Sequence, residues 1–419
     1  MSDIEQFAST VVIPTEILLS IFRYLAPKHL ATCRLICNRW KQIIDDVSLS
    51  DKFWFRCCKS EFPSIFNQVM YKAKAGTTWQ KIYRSLFLWS KFLDASETVD
   101  EFASASNISQ EIRDIKVLRD GLLAVHTRDG ISYYDLDTLK FSTKCKSIIG
   151  SYTSYSENDS FTVYIDISNC LIVVRKQGHP GQESRIIINN VQKFLLNDIR
   201  LFYVTHDNEI HMCNLCTNDL QSLFLKKFEE QVMTLGYSNT LNVLTYEREI
   251  YSLVDGTFKL QCNIEIVPNM QHILWKYNLL ERMDWRVYIQ WMYILNHTIQ
   301  QDVLLKDMLI IYPYGDVFFV GTTWGVFRIY YKPFVDGEFD LYNSVPIKQY
   351  NFAERSDCPV LAMSPIFQID VVETEDGHIV LVAMPKKIAV LYYTHVFKQS
   401  PTWPVLPFME VQDVTIKSN

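Results

Sequence analysis

The sequence predicts two regions of different fold class, a small α-helical region near the N-terminus and a much larger all-β region after it. Between Ile13 and Leu93, apolar residues recur at steps of three and four, the spacing of amphipathic helices. From Ile112 onward, short apolar or alternating runs are separated by turn residues, which indicates strands. A chain of 419 residues with 48% apolar content is long enough for two cores. We therefore predict a multidomain chain, α then all-β, divided into residues 11–58, 59–110 and 111–419.

Three short helices are predicted in the first segment. Pro14 suits the first turn of a helix, because its φ is fixed and an N–H at that position would be unpaired. Glu16 complements the dipole of that turn, and Pro27 ends the first helix and starts the second. The apolar positions are Ile17, Leu18, Ile21, Phe22, Leu25, then Leu30, Cys33, Leu35, Ile36, then Trp40, Ile43, Ile44, with Trp54 and Phe55 at the end. Because helices this short bury little between themselves, part of their surface is expected to meet a partner. The alternative is an ordinary helical subdomain packed on its own chain.

The order of these residues resembles the F-box family. The resemblance rests on Ile13-Pro14-x-Glu16-Ile17-Leu18, Ile21-Phe22-x-x-Leu25, Leu30, Ile36-Cys37-x-x-Trp40 and Trp54. Ile13 stands where Leu is commonest in the family, and the residues from Ser50 to Phe53 lengthen the approach to Trp54. Neither departure changes the apolar character of a contact position.

The resemblance implies a substrate-recognition subunit of a Skp-cullin-F-box type E3 ubiquitin ligase. In that family the F-box binds a Skp-type adaptor and, through it, cullin, while the C-terminal domain holds a protein substrate, which is unidentified here. The resemblance assigns adaptor binding to Pro14, Ile17, Leu18, Ile21, Phe22, Leu25, Leu30, Ile36, Cys37 and Trp40. Such a subunit is not catalytic and acts by proximity. An F-box scaffold that delivers nothing for ubiquitination is the alternative.

A helical linker is predicted from Phe62 to Leu93. Its apolar positions Trp79, Ile82, Tyr83, Leu86 and Phe87 have helical spacing. Gly76-Thr77-Thr78 supplies a break and a cap before that helix. The polar, small-residue segment from Asp94 to Gln110 predicts a boundary loop.

Short strands and turns are predicted through the rest of the chain. Examples of the predicted strands are Gly121–Val125, Ile131–Tyr134, Leu171–Val174, Arg185–Ile188, Leu201–Thr205, Leu241–Thr245, Val287–Trp291, Val317–Val320, Val326–Tyr331 and Ile379–Ala383. A pattern of strand, polar turn and second strand recurs at Leu122, Leu201 and Leu241. The first-strand positions advance by about 43 residues on average, the spacing of a four-stranded blade.

On that spacing, the β region resembles a WD-repeat-like β-propeller of six or seven blades, although the Gly-His and Trp-Asp signatures of the family are missing. A large β-sandwich is the alternative. An open propeller would leave unpaired edges, so a strand from outside the regular order is expected to close the ring. Val411–Lys417 is one candidate, pairing with the first blade, and Glu111–Val117 is the other, completing the last blade.

Charge and motifs argue against several function classes. The net charge of −6 is unfavourable for broad nucleic-acid binding. Residues 1–10 lack the pattern of a signal peptide, and no apolar run of about 18 residues predicts a membrane span. The expected location is the cytoplasm or nucleus, where the ten cysteines stay reduced. No Gly-x-Ser-x-Gly, glycine-rich phosphate loop or His-Glu-x-x-His occurs, so no enzyme activity or cofactor is expected. A propeller-type hydrolase or ligand-binding protein with a helical cap remains an alternative.

Weaker candidates have ordinary structural interpretations. Cys213 and Cys216 have the spacing of half a zinc site, but no second pair follows, so packing is expected. His206 and His211 are expected beside a hairpin turn. A candidate binding surface comprises Trp275, Trp285, Trp291 and Trp324 with Arg248, Arg282, Arg286 and Arg328. The alternative is that the tryptophans fill the core between blades.

Overall fold

In this computed structural model, the structure describes residues 13–73, 76–143, 145, 147–150, 152–158, 160–176, 185–216, 221–264, 286, 310–331, 345–352 and 365–395. Several predictions fall outside these residues. They are the strand Val287–Trp291, the closing segment Val411–Lys417, Trp275, Trp285, Trp291 and Arg282.

The described part of the N-terminal region forms six α-helices. They are Thr15–Tyr24 (α1), Pro27–Arg34 (α2), Asn38–Ser48 (α3), Asp51–Glu61 (α4), Phe66–Lys72 (α5) and Trp79–Leu88 (α6), and a 3-10 helix follows at Trp89–Asp94. Helix α4 is one more than the three helices predicted before residue 58. The predicted start of α6 is confirmed, because Gly76 has a φ of 82° and the Thr78 hydroxyl accepts a hydrogen bond from the Lys81 N–H at 3.4 Å.

The remaining described residues form six antiparallel sheets. Sheet 1 contains Asp114–Val117 (β2), Leu122–His126 (β3), Gly130–Asp135 (β4), Lys140–Phe141 (β5) and Ile148–Ile149 (β6). Sheet 2 contains Tyr152–Glu157 (β7), Phe161–Asp166 (β8), Leu171–Arg175 (β9) and Arg185–Ile188 (β10). Sheet 3 contains Val191–Asn197 (β11), Arg200–Thr205 (β12), Glu209–Asn214 (β13) and Ser222–Lys227 (β14).

Sheet 4 contains Val232–Tyr237 (β15), Leu241–Thr245 (β16), Glu249–Val254 (β17) and Thr257–Asn263 (β18). Sheet 5 contains Ile310–Tyr314 (β19), Val317–Gly321 (β20), Val326–Tyr331 (β21) and Lys348–Asn351 (β22). Sheet 6 contains Gln368–Thr374 (β23), Gly377–Met384 (β24), Lys387–Thr394 (β25) and one strand from before sheet 1, Ser96–Phe102 (β1). The predicted strands that lie in the described residues are therefore confirmed, with bounds shifted by a few residues.

The repeat seen in the sequence is the hairpin between the second and third strands of a sheet, as in β3–β4, β12–β13 and β16–β17. Turn chemistry fixes such hairpins. Asp255 and Gly256, for example, form the two-residue turn between β17 and β18, with φ values of 52° and 76°. Two successive positive φ angles favour Asp-Gly, because glycine has no Cβ and a short Asp side chain tolerates this conformation.

Sheet 6 is completed by a strand from outside the regular order, but it is not one of the two predicted. Strand β1 pairs antiparallel with β25, from Ser96 opposite Thr394 to Phe102 opposite Ile388. The loop predicted over residues 94–110 is thus wrong at β1, and residues 114–117 form the first strand of sheet 1 instead of joining sheet 6. The prediction failed because β1 is exposed. Its sequence SETVDEF faces water along most of its length and has the polar composition typical of a loop. β1 covers the edge of the buried strand β25, an edge that would otherwise be unpaired.

Consecutive sheets pack face to face through separate apolar clusters. Such clusters join sheet 5 to sheet 6, sheet 6 to sheet 1, sheet 1 to sheet 2, sheet 2 to sheet 3, and sheet 3 to sheet 4. The Gln368 side chain reinforces one of these joints, since it accepts from the Ile115 N–H at 2.9 Å and donates to the Ile115 carbonyl at 2.6 Å. Sheets 6, 1, 2 and 3 therefore each pack against a neighbouring sheet on both faces.

The helices share one core with sheets 5 and 6. This cluster runs from Leu18 and Trp54 in the helices to Phe319 and Val371 in the sheets. The buried Trp54 indole N–H donates to the Ser48 carbonyl at 2.7 Å, which fixes α4 against the end of α3. Within the described ranges, no helix combines the length and the apolar character that crossing a bilayer requires.

Candidate functional site

The apolar residues of α1 point in two directions. Leu18 and Phe22 are each only 1% exposed, and Phe22 packs edge to face on Trp40 with ring centroids 5.2 Å apart. Ile17 and Ile21 are 51% and 45% exposed. A residue advances about 100° around an α-helix, so Ile17 and Ile21 form a second stripe one position away from the buried one. The apolar pattern in the sequence is thus a core-facing stripe beside a solvent-facing stripe.

The start of α3 lies beside the start of α1. The Arg39 guanidinium donates to the Ile13 carbonyl at 2.8 Å and to the Thr15 hydroxyl at 3.0 Å. This contact brings the exposed residues that precede α3 near those of α1. We define the apolar face by its exposed side chains, Ile13, Ile17, Ile21, Leu35 and Ile36. Leu35 was not among the predicted contact residues, and neither was the exposed Tyr24, although Tyr24 follows Ile17 and Ile21 at helical spacing.

The ten residues assigned to adaptor binding are divided between surface and core. Pro14, Ile17, Ile21, Ile36 and Cys37 are exposed, and Leu25 and Trp40 are half-buried. Leu18, Phe22 and Leu30 are buried within the helices. The three buried side chains are therefore inaccessible to a partner in this conformation and instead hold the helices that present the others.

Residues 11–60 match the F-box-like family. This F-box-like module corresponds to α1–α4, and the apolar face belongs to it. A Dictyostelium discoideum protein, mitogen-activated protein kinase kinase kinase A, is 29% identical over 90 residues, which are 20% of this chain and 9% of that protein. The chain thus spans a small part of the length of this curated relative.

Solved structures show only distant similarity. The N-terminal domain of Nup159 covers 68% of this chain and 76% of its own, with a TM-score of 0.36 and 10% identity. Kluyveromyces lactis Hsv2 covers 66% of this chain and 78% of its own, with a TM-score of 0.32 and 9% identity. Likenesses at this level carry no inference about fold or function.

A buried carboxylate joins the helices that follow the F-box-like module to sheet 6. Glu373 on β23 accepts hydrogen bonds from the Trp89 indole at 2.9 Å, from the Tyr314 hydroxyl at 2.7 Å and from the Ser85 hydroxyl. His378 Nδ1 lies 2.7 Å from the same carboxylate, and the His378 ring stacks on Trp89 with centroids 3.8 Å apart. Burial alone would raise the pKa of Glu373, but His378 and the hydrogen bonds from Ser85 and Trp89 outweigh burial and lower it. Glu373 is therefore a buried anion with a full set of donors.

Helix α5 makes a second set of polar contacts beside those of Glu373. Lys72 pairs with Asp370 of β23, and its ammonium also donates to the Val371 carbonyl at 3.1 Å. The Tyr312 hydroxyl donates to the Gln68 side chain at 2.8 Å, while the Tyr71 hydroxyl donates to the Glu157 carbonyl at 2.6 Å. One short helix thus bonds to the first strands of sheets 2, 5 and 6. We call the contacts of Glu373 and Asp370 with α5, α6 and Trp89 the polar joint. Its partners are separated by hundreds of residues, so no sequence spacing could have revealed it.

The weaker candidates occupy ordinary positions. Cys213 is buried and Cys216 is exposed, and across the described residues no three His, Cys, Asp or Glu side chains are grouped as metal ligands would be. His206 is exposed in the β12–β13 turn, as predicted, and the His211 ring stacks on Tyr203 with centroids 5.1 Å apart. Trp324 lies in the β20–β21 turn of sheet 5 and is 49% exposed.

Proposed function

We propose that this chain is the substrate-recognition subunit of a Skp-cullin-F-box type ubiquitin ligase. The observation that carries the proposal is an exposed apolar face on a module that matches the F-box-like family. Apolar surface left in water costs roughly 25 cal/mol per Å² relative to burial, so such a face favours a protein partner. The partner proposed is a Skp-type adaptor, which links the chain to cullin.

The direct contacts of the adaptor are proposed to be the exposed members of the predicted set. Pro14, Ile17, Ile21, Ile36 and Cys37 supply them, together with Ile13 and Leu35. Leu25 and Trp40 border the apolar face, and Leu18, Phe22 and Leu30 support it from the core. This division gives each residue a role that its burial allows.

The β region is proposed to be a β-propeller that holds the protein target. Six antiparallel sheets among the described residues, five of four strands and one of five, pack face to face in the order 5, 6, 1, 2, 3 and 4. They support this arrangement, because consecutive blades of a propeller share their faces in this way. The chain itself does no chemistry. It raises the local concentration of a target lysine near a charged ubiquitin-conjugating enzyme, in the cytoplasm or nucleus.

The polar joint supports this mechanism, since proximity is effective only when the target is held at a defined distance and angle. A joint built from buried charges has one good geometry, and displacement of the helices would remove the contacts of Ser85 and Trp89 with Glu373 and of Lys72 with Asp370. Helices α5 and α6, which follow the F-box-like module, are therefore held against sheet 6 in one orientation.

Affinity purification of the full chain tests the proposal. The expected result is co-purification of a Skp-type adaptor, a cullin and a ring-finger subunit, with loss of all three in Ile17→Asp and retention in Lys59→Gln, an exposed position on α4. Recovery of the adaptor without cullin would favour the scaffold alternative. Failure to recover any adaptor with a folded wild-type chain would refute the proposal.

A further inference from the structure

A concave surface lies on the F-box-like module, away from the apolar face. It is a cleft of about 410 Å³ between α1, α3 and α4. Its lining comprises Leu19, Arg23, Asp46, Val47, Ser50, Lys52, Phe53 and Arg56. Leu19 and Arg23 follow Ile17 and Ile21 by two positions each, which is about 200° around α1. The cleft and the apolar face therefore lie on nearly opposite sides of that helix, and both can be occupied at once.

The cleft carries a net positive charge. Arg23, Lys52 and Arg56 line it with a single carboxylate, Asp46, so its formal charge is three positive minus one negative, or +2. Within the described chain, none of these three cations forms an ion pair with a carboxylate at 4.0 Å or less. By contrast, the neighbouring Arg34 is paired with Asp45 at 2.7 Å. The charge of the cleft is thus not neutralised by the chain around it.

Arg56 is positioned by aromatic rings. Its guanidinium carbon lies 5.2 Å from the ring centroid of Tyr24 and 5.6 Å from that of Phe53. Cation–π contacts of this kind orient a guanidinium while leaving its N–H donors available. A planar guanidinium with free donors is the side chain best suited to bind phosphate oxygens two at a time.

We propose that this cleft binds a phosphorylated serine or threonine side chain of a protein partner. A phosphate monoester carries a charge of about −1.5 to −2 at neutral pH, which matches the +2 of the cleft, whereas a carboxylate supplies half as much. Leu19, Val47 and Phe53 give apolar walls for the residues beside the phosphate. Nucleic acid is disfavoured, because its phosphates extend along a chain while these cations are confined to one cleft of a protein with a net charge of −6.

Fluorescence anisotropy with the full chain tests the proposal. The probe is a dye-labelled peptide with one phosphoserine flanked by glycines, and the comparison peptide carries unmodified serine. We expect binding of the phosphorylated peptide only, weakened about tenfold by each of Arg23→Gln, Lys52→Gln and Arg56→Gln through the loss of a charge-assisted contact. Lys59→Gln, on the same helix as Lys52 and Arg56 but outside the cleft, should leave the affinity unchanged.

Asp46→Asn supplies a test of opposite sign. Removing the one negative charge of the cleft should tighten phosphopeptide binding severalfold, a gain that partial unfolding would not produce. Equal affinity for both peptides, equal weakening by Lys59→Gln, or weakened binding in Asp46→Asn would overturn the proposal. A lipid-binding result would also overturn the proposal. In that outcome, the chain binds vesicles of phosphatidylcholine with 20% phosphatidylserine through Arg23 and Arg56 but does not bind the phosphopeptide.

Discussion

The helical region has two contact surfaces of opposite character. The apolar face on α1 and the start of α3 is formed by Ile13, Ile17, Ile21, Leu35 and Ile36 and faces water. The polar joint at α5, α6 and Trp89 is buried against sheets 5 and 6 and is built around the carboxylates of Glu373 and Asp370. The chain covers the polar joint with its own residues, together with the apolar core that the helices share with sheets 5 and 6.

The difference follows from what each kind of contact costs when its partner is missing. Leaving apolar side chains exposed to water costs only a few kcal/mol of free energy, so such a surface is stable before a partner binds. A buried carboxylate without its donors is far more costly, so a polar contact is suited to a joint that never opens. In this molecule, the contact that the chain's own sheets cover combines the polar joint with an apolar core, and the contact left open is apolar.

The largest effect is expected from removing the central anion of the polar joint. Glu373→Leu leaves the donors of Trp89, Tyr314 and His378 buried without this acceptor, while the Ser85 hydroxyl keeps the Gly377 carbonyl. We expect a loss of about 4 kcal/mol in the free energy of unfolding, measured by urea denaturation. Limited proteolysis should also cut between the helices and sheet 6. A variant as stable as the wild type would show that the polar joint does not hold these regions together.

The apolar face should respond in the reverse manner. Ile21→Asp should weaken adaptor binding at least a hundredfold, about 3 kcal/mol, with less than about 1 kcal/mol change in unfolding, since Ile21 is half exposed. Leu18→Asp is the matched control on the same helix, and it should unfold the module because its side chain is 1% exposed. Calorimetric titration with purified adaptor and circular dichroism separate the two results. Undiminished binding by Ile21→Asp would remove the apolar face from the adaptor interface.

Lowering the pH should destabilise the contact between the helical region and the sheets. Burial lowers the pKa of His395 to about 4, and the neighbouring His378 acts in the same direction. The unfolded chain takes up this proton near pH 6.5 and the folded chain only near pH 4, so stability falls as the pH drops from 6.5 to 4. Allowing for solvent screening, we expect about 1–2 kcal/mol from this group. His395→Gln should reduce the slope of stability against pH in that range, and an unaltered slope would contradict the assignment.

The smallest effect is expected at the rim of the same contact. Lys81 and Glu375 lie 2.7 Å apart, with side chains 43% and 54% exposed. Exposed ion pairs contribute about 0–1 kcal/mol, so Glu375→Gln should change the unfolding free energy by less than about 1 kcal/mol. A loss as large as that of Glu373→Leu, two residues away, would mean that burial does not distinguish the two carboxylates.

Much of the architecture could be predicted because its determinants are local. The hairpin from Leu201 to Met212 combines an apolar strand, a polar turn and a second strand, and it forms as expected. The helical stripe and the Thr78 cap are equally local. The domain limits at residues 11–58, 59–110 and 111–419 remain predictions.

Other features depend on partners that sequence spacing cannot supply. The sequence of β1 has the polar composition of a loop because most of its side chains are exposed. It forms a strand because its backbone pairs with the edge of β25. Periodicity identified the apolar residues of α1 but not which of them are buried. Leu18 and Ile17 are equally apolar, and they differ only in whether other residues of the chain cover them. The donors to Glu373 from the helices lie 284 to 288 residues before it, which makes the polar joint a property of the assembled fold.

The pairing of β1 with β25 also determines when, during synthesis of the chain, sheet 6 can be completed. Ser96 and its partner Thr394 are 298 residues apart, a distance that a ribosome covers in about 15–60 s at ~5–20 residues per second. During that interval β1 has no strand to pair with, and the core shared by Leu18 and Val371 is incomplete. A nascent chain therefore completes the core of its helical region and sheet 6 together, only after residue 394 has left the exit tunnel.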